Sequence, residues 1–444
     1  MDANDTSDKA KSQDSVSLAL RGKALSANVY SANALLNLRE KISQNTALVS
    51  DEWLDRLIKW ADEHKNPNPN PNLCLSIFPS SKSELRNAEI LKFHANEYEF
   101  DDLPDEFENL YNLKELVFRH IAFRRIPKVI CKLTWLKSLD IWNYNELAAD
   151  FLPSEFANLQ SLECLEFRNY RLYELEAICK LTKLKTLLLA SCGLDTLPNE
   201  LTNLQRLERL SISRNNFGKV PKIITKLTTL KRLDMRCCGL ESLPNELINL
   251  QRLEQLNIGN NNFDEMPEII TKFITLKTLD IEYCGFKSLP NELINLQRLE
   301  DLDMGGNNFY EVPKIITKLT TLKKLSMWNC GLKNLPNEFV NLQRIEDLDI
   351  GGNNFDEFPQ VILKLKNLKK LTMTGCNFHT LPKEFAHLQN IEELYLSFRE
   401  SLYDELPSVI LELPHLRKLY TTNISIDKKM TQILKEKGVE VDEF

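Results

Sequence analysis

The run Leu253-x-x-Leu256-x-Ile258-x-x-Asn261-x-Phe263-x-x-Met266-Pro267 returns 23 residues later as Leu276-x-x-Leu279-x-Ile281-x-x-Cys284-x-Phe286-x-x-Leu289-Pro290. Units of this form begin at Ile90, Leu113, Leu136, Leu162, Leu184, Leu207, Leu230, Leu253, Leu276, Leu299, Leu322, Ile345, Leu368, Ile391 and Leu416. Three depart from the period. The unit from Leu136 gains three residues near Ala148, the unit from Leu162 loses one residue and its proline, and the unit from Ile391 gains two residues around Leu402. A unit this short cannot bury its own apolar residues, so it is stable only when stacked on its neighbours. The 444 residues therefore form one long array rather than several independent globular domains.

Within a unit, the first, fourth and sixth positions alternate as the inward face of a short strand does. The chain turns at the ninth position, where an inward Asn can bond backbone groups that the turn leaves unpaired. After the Leu-Pro pair comes a return segment. In Pro244-Asn245-Glu246-Leu247 a proline at the first helical position and an early glutamate favour a short helical return. The consensus LxxLxLxx(N/C)xLxxLPxxhxxLxxL resembles the leucine-rich-repeat family in its 23-residue form, over about three quarters of the chain. That resemblance implies an α/β fold: a right-handed horseshoe solenoid with a parallel sheet on its concave face and a helical N-terminal region. It also implies a binding role for that face. The LPxE(L/F)xNLxxLxxL return is similar to that of Ras-group leucine-rich-repeat proteins. The helix WLDRLIKWADEH with a spacer and repeats after it is similar to the layout of some bacterial repeat proteins.

A longer period lies over the first. From Cys192 the ninth position alternates as Cys192, Asn215, Cys238, Asn261, Cys284, Asn307, Cys330, Asn353 and Cys376, so the duplicated unit is a 46-residue pair. Cysteines in alternate repeats stand two strand spacings apart, roughly 9–10 Å. A disulfide needs Cα atoms within about 7 Å, so these cannot pair along the ladder. They read as small buried thiols in a reducing compartment. No CxxC spacing suggests zinc. Cys237 is expected to point outward, beside an inward Cys238.

Five segments follow: a disordered tail over 1–14, a helical region and cap over 15–65, an extended spacer and entry over 66–89, repeats over 90–415, and a final repeat and cap over 416–444. Trp53, Leu54, Leu57, Ile58 and Ala61 recur at helical spacing and give residues 50–65 an apolar face suited to capping. Asn66-Pro67-Asn68-Pro69-Asn70-Pro71-Asn72 reads as a semi-rigid spacer. Near the end, Met430–Lys437 reads as a helix stopped by Gly438, and Val439-Glu440-Val441 as a last strand. The N-terminus is acidic, and its first apolar run is broken by Arg21 and Lys23, unlike a Sec signal peptide. The expected setting is cytoplasmic, or outside the cell by a route independent of a signal peptide.

The outward positions divide. The second runs Lys185, Glu208, Lys231, Glu254, Lys277, Glu300, Lys323, Glu346, Lys369, Glu392 and Arg417. Opposite charges then lie side by side on strands about 4.8 Å apart, which suits a register-setting ladder. The fifth, seventh and eighth positions carry a less self-compensated set: Trp142, Asp234, Arg236, Asp280, Glu282, Tyr283, Asp303, Trp328, Asp349, Tyr395, Phe398 and Tyr420. Aspartates without adjacent cations repel one another, and exposed aromatics beside charge match interaction hot spots. These twelve residues are the expected partner-binding strip, with the pairs Gly305-Gly306 and Gly351-Gly352 as low points.

A net charge of -7 gives no basic stripe for nucleic acid, and no apolar run is long enough to span a bilayer. No P-loop, GxSxG, HExxH or GxGxxG is present, and the six histidines are scattered. No cofactor and no metal are expected. Only some 28 residues follow Leu416, which leaves no room for the ubiquitin-ligase domain that some bacterial effectors carry after their repeats. The expected function is non-enzymatic binding of a protein partner with a basic surface, as a bacterial effector or a scaffold. The alternative is a signalling regulator of Ras-group type, and the third is an enzyme working through residues 1–89. Oligomeric state is left open.

Overall fold

The computed structural model describes residues 51–64, 73–74, 78–79, 81–100, 102–123, 125–143, 149–150, 152–378, 380–398, 404–422 and 424–443. The chain divides into two units, Met1–Arg56 and Leu57–Phe444. The expected tail over 1–14, the part of the helical region before residue 51, the spacer 66–72 and the insertions near Ala148 and Leu402 lie outside the described residues.

The second unit is a solenoid. Among the described residues sixteen parallel strands form one open sheet, from Ile90–Phe100 to Glu440–Glu443, and Leu73–Cys74 adds an antiparallel strand beside the first. The register is a straight ladder: Leu233, Leu256, Leu279, Leu302, Leu325 and Leu348 are mutual partners across successive strands. First, fourth and sixth positions such as Leu253, Leu256 and Ile258 are buried, as the alternation requires. One boundary moves. Ile90 pairs with Glu115 rather than Leu113, and it is 49% exposed, so the first core residues are Leu91 and Phe93. Ile90 is apolar yet holds the outward third position.

The return segments are short 3-10 turns such as Asn245–Asn249 and Asn291–Asn295. The proline precedes the turn instead of opening it. Pro244 is extended, and its carbonyl accepts the Leu247 N–H. Its missing N–H costs nothing there, and its fixed φ aims the chain into the turn.

The ninth position holds the repeats together. Asn261 Oδ1 accepts the N–H groups of Cys238 and Leu240, and its Nδ2 donates to the carbonyls of Met235 and Ile258. Asn215, Asn307 and Asn353 do the same for Cys192, Cys284 and Cys330. Each asparagine thus closes the turn of the cysteine repeat before it, which makes the 46-residue pair a physical unit. The ninth-position cysteines are free and buried, and burial pushes the thiols of Cys192, Cys238, Cys284, Cys330 and Cys376 up to about 12.

Among the second-position charges Lys231 couples with Glu208, Lys277 with Glu254, Lys323 with Glu300, and Lys369 with Glu346 at 2.6–3.0 Å, while Glu163 bridges Lys137 and Lys185. Being exposed, each is worth at most about 1 kcal/mol.

At the N-terminal end of this unit, Trp60 of the helix Glu52–His64 meets Phe78, Phe93 and Phe107 edge-on. At the other end, the Asp427 carboxylate accepts the Met430 N–H and starts the helix Lys428–Glu436. Gly438 stops it at φ +74°, and Glu440–Glu443 pairs with Lys418–Thr422. Among the described residues no helix is long and apolar enough to cross a membrane.

Candidate binding face

The fifth, seventh and eighth positions lie along the outer side and the end of the sheet. The aspartates at the fifth position are not free. Asp234, Asp280, Asp303 and Asp349 each accept through Oδ1 the N–H two residues on, that of Arg236, Glu282, Gly305 and Gly351, at 2.8–3.1 Å. Asn257 makes the same turn with Gly259. An Asx turn ends each of these strands and ties up one carboxylate oxygen, while Asp303 still adds repulsion to the burial that raises the carboxyls of Asp280 and Asp349.

The eighth position is not an outward strand position. Ser191, Arg214, Cys237, Asn260, Tyr283, Gly306, Asn329, Gly352 and Gly375 all hold φ between +48° and +69°. Tyr283 therefore projects from a left-handed turn. Its ring lies on Gly306, the Trp328 indole lies on Gly305, and the two rings meet at 81° with centroids 5.1 Å apart. These aromatics therefore pack as well as face solvent: each fills the space that a glycine of an adjacent repeat leaves. Gly305-Gly306 is thus a filled seat. Gly351-Gly352 floors a hollow of about 350 Å³ that is also lined by Trp328, Asp349, Thr374 and Gly375.

Glycine also shapes the charges. At the seventh position Arg236, Gly259 and Glu282 follow one another across three strands, and the Arg236 guanidinium meets the Glu282 carboxylate over Gly259. Asn260 Nδ2 donates to the same carboxylate. Carboxylate oxygens of Asp280, Glu282 and Asp303 lie within 4.8 Å of one another. Among the described residues this is the set close enough to share a cation, but Glu282 is already held by Arg236 and Asn260.

Burial, reinforced by the negative charge of Asp303 and Glu282, pushes the Asp280 carboxyl up to about 6. Burial, with Asp303 and Asp347 nearby, does the same to Asp349. A carboxyl whose folded value lies above its unfolded value binds protons more readily in the native state, so stability rises as pH falls from above 6 toward 4. Unfolding at pH 5 and pH 7.5 is expected to show on the order of 1 kcal/mol of such gain per carboxyl, well below the full value of the shift because the groups are partly solvated. Asp280→Asn and Asp349→Asn keep the Asx turn, as Asn257 does natively, and are expected to reduce that gain. An unchanged gain in both variants would contradict the assignment.

The structure brings Asp234, Arg236, Asp280, Glu282, Tyr283, Asp303, Trp328 and Asp349 onto the strands and following turns of five repeats within a run of six, the Gln255–Asn257 repeat supplying none of them. It leaves the others apart. Trp142 sits on a distant strand, between the His120 ring and the Arg168 guanidinium. Tyr395 and Tyr420 stack face to face at 4.2 Å nearer the C-terminal end, with the Lys370 ammonium 5.3 Å from the Tyr395 ring. Phe398 ends the strand Glu393–Phe398, and its side chain lies outside the described residues.

A family model described as a leucine-rich repeat region matches residues 165–261 and 313–441. The chain belongs to the leucine-rich-repeat family. A leucine-rich-repeat protein of Leptospira interrogans is similar at 27% identity, over 88% of this chain and 98% of that one, with a TM-score of 0.62. An internalin of Listeria monocytogenes shares the fold at 21% identity, over 71% of this chain and 88% of that one, with a TM-score of 0.54. No curated protein matches the sequence. The leucine-rich-repeat fold commonly mediates protein–protein interaction.

Proposed function

We propose that the chain is a non-enzymatic protein-binding module whose partner presents a basic segment to the outer face of the sheet. The observation that carries this is the Trp328–Asp349 hollow. One wall is an indole, and another is a carboxylate with one oxygen left over from its Asx turn. An aromatic face beside a carboxylate favours a cation, through cation–π attraction and a charge-assisted hydrogen bond. A Lys or Arg side chain of a partner fits that chemistry, and the Asp280–Asp303 carboxylates continue the negative strip away from the hollow. The free thiols fit a reducing setting, so the working location we propose is the cytoplasm of the producing cell or of a cell that receives the protein. Within this reading the effector or scaffold role ranks ahead of a Ras-group regulator.

The test is capture of partners by the wild-type chain and by an Asp280→Lys/Asp303→Lys/Trp328→Ala variant, followed by affinities for each partner found. Trp328→Ala alone is expected to weaken the partner at least about tenfold, in the range of an interface hot spot. Glu208→Gln, in a charge couple away from the strip, is expected to change little. A partner set that survives the triple change intact would sink the reading. Selective loss of a GTP-loaded small GTPase would move the protein to the Ras-group alternative.

A further inference from the structure

We propose that a second hollow, lined by Arg171 and Arg214, is an oxyanion site that takes a phosphoryl group. It runs along the turns of four consecutive repeats, well before the Trp328 repeat in the chain, and does not depend on the reading above. Its volume is about 410 Å³, and Ser191, Gly193, Asn216 and Cys237 complete the working part of its lining.

The repeat pattern explains why a hollow forms here. Ser191, Arg214 and Cys237 hold eighth positions, and Arg171, Gly193 and Asn216 hold tenth positions. The tenth position alternates between a side chain and glycine, so each glycine leaves a gap one repeat wide. A Cβ at Gly193 would lie 3.2 Å from Cγ of Arg171. The absence of that carbon gives the Arg171 arm room against the next repeat. The Tyr173 ring, 5.3 Å from the guanidinium, steadies it.

Charge decides what the hollow would hold. Arg119, Arg168, Arg236 and Arg417 each meet a carboxylate. Among the described residues neither Arg171 nor Arg214 forms an ion pair. Two uncompensated guanidiniums therefore line one cavity, together with a serine hydroxyl and an asparagine carboxamide. A guanidinium offers five N–H donors and no acceptor, and its planar fork suits oxyanions. A carboxylate would balance one of the two charges. A phosphoryl group near neutral pH carries close to two negative charges and three acceptor oxygens, which balances both. The same chemistry comes from free phosphate or from a phosphorylated side chain of a polypeptide.

The experiment titrates the full chain with inorganic phosphate, and separately with a phosphoserine peptide and its unphosphorylated twin, by calorimetry and phosphorus NMR. Saturable binding at one site is expected, weakened at least about tenfold by Arg171→Gln and by Arg214→Gln, in line with loss of a charge-assisted bidentate contact. Arg209→Gln, an exposed arginine on the sheet outside the hollow, is expected to leave binding unchanged. Phosphopeptide binding tighter than both phosphate and the unphosphorylated twin would assign a phosphorylated side chain as the ligand. Equal affinity for phosphate and phosphopeptide would assign the free anion. Absence of saturable binding by both probes overturns the proposal, and so does binding that survives the double Arg171→Gln/Arg214→Gln change or falls equally with Arg209→Gln.

Discussion

Asn307→Leu is expected to lower the stability of the solenoid by about 4–6 kcal/mol, because several buried backbone groups lose their partners at once. Asn307 is fully buried. Its Oδ1 accepts the N–H groups of Cys284 and Phe286 at 3.1 and 2.9 Å, and its Nδ2 donates to the carbonyls of Ile281 and Met304 at 2.8 and 2.9 Å. Leucine has a similar volume and offers none of these bonds. The two N–H groups carry most of the cost, since each is buried and has no second partner within the turn. Cys284→Ala, by contrast, loses a small volume and a weak bond from its thiol to the Ile258 carbonyl at 3.2 Å. That change is expected to cost about 1–2 kcal/mol. Chemical denaturation of the full chain followed by circular dichroism compares the two. Equal costs would mean that the asparagine is one more space-filling residue at the ninth position.

The ninth position also marks how far the sequence could be read. Which residues face inward was legible, because a period of two within each strand and of 23 between strands reports burial directly. Leu233 through Leu348 sit in register for that reason, and the last helix and strand follow from the Gly438 stop and the alternation Val439-Glu440-Val441, though the Asp427 cap that starts the helix was not read. Ile90 misled because an apolar residue at an outward position mimics the first leucine of a unit. The asparagine's inward role could be anticipated, but not its choice of the preceding cysteine repeat. The outer face was less legible for a related reason. Its contacts join residues one or two repeats apart: Tyr283 to Gly306, Trp328 to Gly305, Arg236 to Glu282 over Gly259. A reading that takes each position as a column sees an aromatic, a glycine or a charge, not which one fills the other's space. One signal was available. Glycine and asparagine recur at the eighth position, and these residues favour a left-handed turn, which argues against an extended strand there.

Gly306→Ala is expected to cost about 2–3 kcal/mol, and a neighbouring control separates its two causes. Gly306 sits at φ +67°, where a Cβ carries a penalty of roughly 1–2 kcal/mol. That penalty alone is tolerable, since Asn260, Tyr283 and Asn329 occupy the same conformation with full side chains. What singles out Gly306 is the Tyr283 ring, which a Cβ would overlap at Cγ, Cδ1 and Cε1. The near edge of the ring is involved, not a flexible tip, so the whole ring must swing away and lose its edge-on contact with Trp328. Gly375 shares the backbone conformation at φ +69°, but its nearest neighbours to a Cβ are Gly352 atoms at 3.7 Å. Gly375→Ala is therefore expected to show the backbone penalty alone, about 1 kcal/mol. Adding Tyr283→Ala to Gly306→Ala removes the overlap. The double-mutant cycle is then expected to give a coupling of about 1–2 kcal/mol between the two sites. Additive costs would mean that the ring does not rest on the glycine, and that the Trp328 hollow is not held in shape by the Tyr283 contact.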